Sequence, residues 1–120
     1  MFRTLAITLT LSFFLQSQDL SGRWKGSFKR RGGDHDIPQL FLLKQDGLQL
    51  TGSGGPDDSE QYPIAKGAVN GNKVRFELTT ARSKFLYDLT VTAGAGLNGD
   101  LEIRSVNRVD KATVELRKEK

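Results

Sequence analysis

Gly22-Arg23-Trp24-Lys25-Gly26-Ser27-Phe28-Lys29-Arg30 is the stretch that decides the fold. Trp24, Gly26 and Phe28 fall on one side of it, and Arg23, Lys25, Ser27 and Lys29 on the other. That period of two places successive side chains on opposite faces of a strand, whereas a helix needs its apolar residues three and four apart. One face is built to be buried and the other to be wet.

The same period recurs downstream. Pro38 to Gln45 is apolar on both faces at Leu40 to Leu43, and Asp46-Gly47 makes a tight turn into Leu48 to Ser53, with Leu48 and Leu50 read as inward. Gln61 to Val69 carries Tyr62 and Ile64 on one face. Asn70-Gly71-Asn72 then turns the chain into Lys73 to Thr79, with Val74, Phe76 and Leu78 inward. Phe85, Tyr87, Leu89 and Val91 alternate with Lys84, Asp88, Thr90 and Thr92, and only Leu86 breaks the pattern. A seventh run presents Leu97, Leu101 and Ile103, and an eighth, from Lys111, presents Ala112, Val114 and Leu116. Gly52, Gly71 and Gly99 each follow an apolar and a polar residue and are read as corners where the backbone bends or crowds.

Eight short runs separated by Gly, Asn and Asp give an all-β chain. An open meander would leave two pairing-competent edges, so an eight-stranded antiparallel up-and-down β-barrel is expected, closed by Ala112 to Arg117 against Arg23 to Lys29. A sandwich and an open meander are the alternatives.

Residues 1–17 stand apart. Arg3 precedes an apolar run from Leu5 to Leu15, about eleven residues where a hydrocarbon core needs roughly twenty. It reads as a signal peptide ending near Ser17, with residues 18–120 as a single barrel domain. A buried N-terminal helix is the competing reading. Export places the mature chain in the periplasm or outside the cell, with no membrane span. The chain of 120 residues has 18 Lys and Arg against 14 Asp and Glu; without Arg3 the balance is 17 minus 14, or +3. That bias is too mild to name a partner. With no cysteine there is no disulfide framework, thiolate cluster, cysteine nucleophile or lipidated cysteine.

Gly22-Arg23-Trp24 on the first strand of such a meander resembles the Gly-X-Trp signature of the lipocalin, avidin and related calycin-type barrels. The resemblance implies that Trp24 plugs one end and that a last-strand cation, Lys118 or Arg117, packs across it. Parity points to Lys118, on the face of Val114 and Leu116. Leu43-Lys44-Gln45-Asp46-Gly47, Leu50-Thr51-Gly52 and Val69-Asn70-Gly71 are also similar to short secreted bacterial domains of unassigned function. With Trp24 as the only tryptophan, the multi-tryptophan biotin site of avidins is not implied, and the short mature chain implies a small cavity.

The interior is the leading candidate site. Trp24, Phe28, Phe41, Tyr62, Phe76 and Tyr87 can wall a ligand pocket with Gln39 and Gln45 as polar handles, or they can simply fill the barrel. On the outside, Arg23, Lys25, Lys29, Arg30 and Arg31 form a cationic face, read as solvated and partly paired with Glu115. It has no interleaved aromatics, so nucleic acid is not expected. Asp34-His35-Asp36 reads as a turn and not a metal site, and Gly52 to Glu60 as a flexible hairpin loop. No cofactor or catalytic group is expected, because the carboxylates lie in loops or on outward faces and no nucleophile-base pair is evident. The functional expectation is a secreted, non-enzymatic barrel that holds a small apolar or amphipathic ligand. The alternative is a protein-interaction or structural envelope module with a filled core, working through an outer face that includes Leu40 and Leu42.

Overall fold

A computed structural model describes residues 19–119; the expected signal peptide lies outside the described residues. Eight strands follow in order: β1 (Gly22–Arg30), β2 (Ile37–Asp46), β3 (Gln49–Asp57), β4 (Glu60–Asn70), β5 (Lys73–Thr79), β6 (Ser83–Thr92), β7 (Gly96–Ser105) and β8 (Val109–Lys118). Each pairs antiparallel with its sequence neighbours, and β8 returns to β1 to close the barrel. The seam runs from Trp24 opposite Lys118 to Arg30 opposite Ala112, so among the described residues every strand has a neighbour on both sides.

The alternating faces sort as the sequence indicates. Trp24, Phe41, Leu50, Val74, Phe76, Tyr87, Leu89, Leu101 and Leu116 are buried in one interior cluster. Phe41, Phe76 and Tyr87 meet at its centre. Phe41 stands edge-on to both partners at 5.3 Å, and Phe76 stacks on Tyr87 at 4.7 Å between ring centroids. Phe41 reaches the axis because Gly54 faces it across the β2–β3 ladder. A Cβ at Gly54 would lie 2.2 Å from the Phe41 ring.

Three expectations are overturned. Leu48 is not inward: it sits in the β2–β3 turn and is 72% exposed, since the tight turn at Gly47 leaves no partner over it. Gly52 to Asp57 is not a loop but the second half of β3, where Gly52 (φ 129°) takes up a register shift against β4 that only glycine accommodates. The bend-or-crowd reading of the other two glycines agrees with the structure: Gly71 (φ 64°) lies in a two-residue turn, and Gly99 is packed against the Asp88 carbonyl within a strand. Arg23 and Lys25 pair with Glu119, whereas Glu115 stands opposite Ser27.

β4 carries a second irregularity at Lys66 (φ 53°), between its pairings at Ala65 and Ala68. The extra residue explains how even-numbered Tyr62 and Ile64 and odd-numbered Val69 all face the interior.

Candidate functional site

The two ends of the barrel differ. At one end the chain entering β1 folds across the opening. Leu20 is buried there, its N–H donating to Gln45 Oε1 at 2.9 Å and its carbonyl accepting from Trp24 Nε1 at 2.9 Å. Lys118 Nζ donates to the Asp19 carbonyl at 3.0 Å, and Ser21 Oγ accepts from the Gln45 N–H at 2.9 Å. Trp24 is 1% exposed, and this end is sealed by Leu20 as much as by the tryptophan. The Lys118 ammonium is therefore committed to the segment that covers the indole, and Arg117 donates to the Gly94 carbonyl.

The other end is open. Here β1 finishes, β2 begins, β3 turns into β4 and β5 into β6, and inward residues from these strands enclose a cavity of about 490 Å³. Phe28, Ile37, Tyr62, Leu78 and Phe85 give it apolar walls, and Gln39 and Tyr87 form its floor. Tyr87 Oη donates to Gln39 Oε1 at 2.6 Å, and Gln39 Nε2 donates to the Pro38 carbonyl at 3.0 Å. Burial raises the Tyr87 pKa, so the floor is a neutral phenol. At the rim, Tyr62 Oη donates to Glu60 Oε2 at 2.6 Å, which also raises the Tyr62 pKa. Arg30 and Arg82 line the same cavity.

The six aromatic residues expected to wall a pocket are thus divided. Phe28, Tyr62 and Tyr87 line the cavity; Phe41 and Phe76 pack beneath it, and Trp24 belongs to the closed end. Of the two polar handles, Gln39 is at the cavity floor and Gln45 holds Leu20 in place. Sequence reading missed Leu20, which precedes the first alternating run, and also Ile37, Leu78 and Phe85 as cavity walls. Leu78 and Phe85 were already assigned inward; only the position of their strand ends sets them at the mouth.

Elsewhere the exposed large apolar side chains are Leu42, Leu48, Val106 and Val109, among the described residues. A second hollow of about 480 Å³, on the outer face of β5 to β8, is lined by exposed charges, among which Arg75 pairs with Asp88 and Lys111 with Glu102. His35 Nε2 lies 3.3 Å from Asp34 Oδ1, both side chains standing in solvent. On the outer face of β2, Leu40 is 4% exposed without joining the interior cluster, and Leu42 is 38% exposed. Among the described residues no helix is long and apolar enough to cross a membrane. Comparison with protein-family models, curated proteins and solved structures gives no match for this chain.

Proposed function

We propose that this chain is an exported, non-enzymatic barrel of the calycin type that holds a small apolar or amphipathic molecule in its open end. One observation carries the reading: a closed barrel leaves Ile37, Tyr62 and Phe85 only half-buried around a 490 Å³ mouth, over buried Phe28 and Leu78, while its other end is sealed. Leaving apolar walls unsatisfied forgoes roughly 25 cal/mol for each Å² that packing would have covered, and a ligand recovers it. The polar pair at the floor supplies orientation, as in most small-molecule sites. Export rests on the apolar leader, and a secreted chain beginning near Gln18, read by intact mass, is the expected outcome.

The test is a titration of the folded chain with an uncharged apolar fluorophore, repeated with Leu78→Trp, which fills the mouth. Saturable binding lost in that variant supports the site. Absence of saturable binding by the fluorophore, together with no thermal stabilisation by a panel of short-chain amphiphiles, favours the interaction or envelope module. That second reading draws on the filled lower half of the barrel and on Leu42.

A further inference from the structure

We propose that the mouth selects an amphiphile with an anionic head, a carboxylate or a phosphate, which Arg30 and Arg82 hold while the apolar tail enters between Phe28, Leu78 and Phe85. The inference rests on the cavity reading above and names its ligand class.

Both arginines line the cavity, and among the described residues neither takes part in an ion pair. Arg30 ends β1 and Arg82 lies in the β5–β6 turn, and in a closed eight-stranded ring β1 and β5 are diametrically opposite. A head seated between them is approached from two sides by guanidinium groups, whose planar forks match carboxylate and phosphate oxygens. The one acid lining the cavity, Glu60, accepts from the Tyr62 hydroxyl and keeps its charge, so the wall carries two cations against one carboxylate, a net charge of +1. Asp34 and Asp36, in the β1–β2 loop, and Asp57 and Asp58, in and beside the β3–β4 turn, lie at the same end of the barrel but do not line the cavity.

Depth fixes which end of the ligand enters. The floor hydrogen bonds are already made within the Gln39–Tyr87 pair, and a charge carried down to them would lose its hydration without a counter-ion. The head therefore stays at the rim, where Arg30 and Arg82 are exposed, and the tail takes the apolar walls.

The experiment is calorimetric titration of the folded chain at low ionic strength with four decyl amphiphiles below their micellar concentrations. These are decanoate, decyl phosphate, uncharged decanol and decyltrimethylammonium. Decanoate and decyl phosphate should bind at least about tenfold more tightly than decanol, and the ammonium compound more weakly than decanol. The double variant Arg30→Gln with Arg82→Gln, both at exposed positions, should bring the anions to the level of decanol measured on the same variant. Equal binding of anions and decanol, or an anion preference that survives the double variant, overturns the head assignment while leaving the cavity reading intact. Inorganic phosphate or acetate binding as tightly as its decyl counterpart would make this a free-anion site and also overturn it. If decanol and all the others fail to bind, the cavity reading falls and this inference with it.

Discussion

The Tyr87 hydroxyl donates a 2.6 Å hydrogen bond to Gln39 Oε1, joining β6 to β2 across the barrel interior at the level where packed core gives way to open mouth. Phe41 and Phe76 lie against the Tyr87 ring, and the cavity begins at its hydroxyl. Tyr87→Phe should leave Gln39 Oε1 buried without its donor and cost about 1–3 kcal/mol in denaturant unfolding. Adding Gln39→Leu should recover much of that loss, because the buried Oε1 is then gone and only the part-buried Pro38 carbonyl loses a side-chain donor. Failure of the second change to recover stability would show that the pair contributes net energy and does not merely avoid a penalty.

Alkaline stability follows from the same burial. The folded-state pKa of Tyr87 is raised above the ordinary phenol value near 10, so above about pH 10 the unfolded chain gives up a proton that the folded chain keeps. The unfolded state then binds fewer protons, and stability falls as pH rises, by at most about 1.4 kcal/mol per pH unit for this one group. Tyr87→Phe should flatten that fall. In Tyr62→Phe, where Tyr87 is the only tyrosine left, absorbance should show no phenolate until the protein unfolds.

Trp24 should emit blue-shifted, quencher-resistant fluorescence that reddens on unfolding, since the single tryptophan is 1% exposed under Leu20. Trp24→Ala should cost on the order of 3–5 kcal/mol, much of the roughly 5–15 kcal/mol that holds a domain together. Trp24→Phe keeps most of the apolar volume but leaves the Leu20 carbonyl without the indole donor, so it should cost less. Water-like emission from the folded protein would mean that Leu20 does not cover the indole.

The strands were legible because period two needs only local information, and seam closure because unpaired edges are costly whichever residues form them. Leu20 was not legible, since a single apolar residue ahead of the first alternating run has no period to betray it. Nor was the continuation of β3 through Gly54-Gly55-Pro56, a composition that normally marks a loop. There the glycines answer to tertiary contacts: the Phe41 ring and the Glu60 carbonyl occupy the places where Cβ atoms would stand. The six aromatic candidates share one face and so could not be ranked by pattern. Their depth along the axis depends on strand tilt and on the β4 irregularity, and depth separates cavity walls from core.

Gly54 offers a test of that tertiary reading. Its backbone lies outside the positive-φ region, so Gly54→Ala adds no backbone strain and acts only by pushing its Cβ against Phe41. Overpacking of this kind should cost about 1–3 kcal/mol. Phe41→Leu, destabilising by itself, should be less so beside Gly54→Ala, giving a coupling of about 0.5 kcal/mol or more in a double-mutant cycle. Strict additivity would mean that the ring does not rest on the glycine.

Closure of the barrel can be tested by removing its last strand. β8 contributes buried Ala112, Val114 and Leu116 to the core and pairs with both β7 and β1. The Glu119 N–H continues the seam by donating to the Arg23 carbonyl at 2.8 Å. Ending the chain after Arg108 exposes two strand edges at once and opens the interior along its length. Each lost apolar side chain forfeits about 1.5–3 kcal/mol of burial for the valine and leucine and less for the alanine, and Trp24 loses the neighbouring strand that carries Lys118. Together these losses match the whole stability of a small domain, so the truncated chain should be unfolded or aggregated by circular dichroism and size-exclusion chromatography. Ending the chain after Lys118 keeps every seam partner from Trp24 to Arg30 and should leave a folded monomer, which separates loss of the strand from loss of the terminus. A monomer that ends at Arg108 and melts cooperatively near the full-length temperature would make β8 an appendage and the barrel an open sheet.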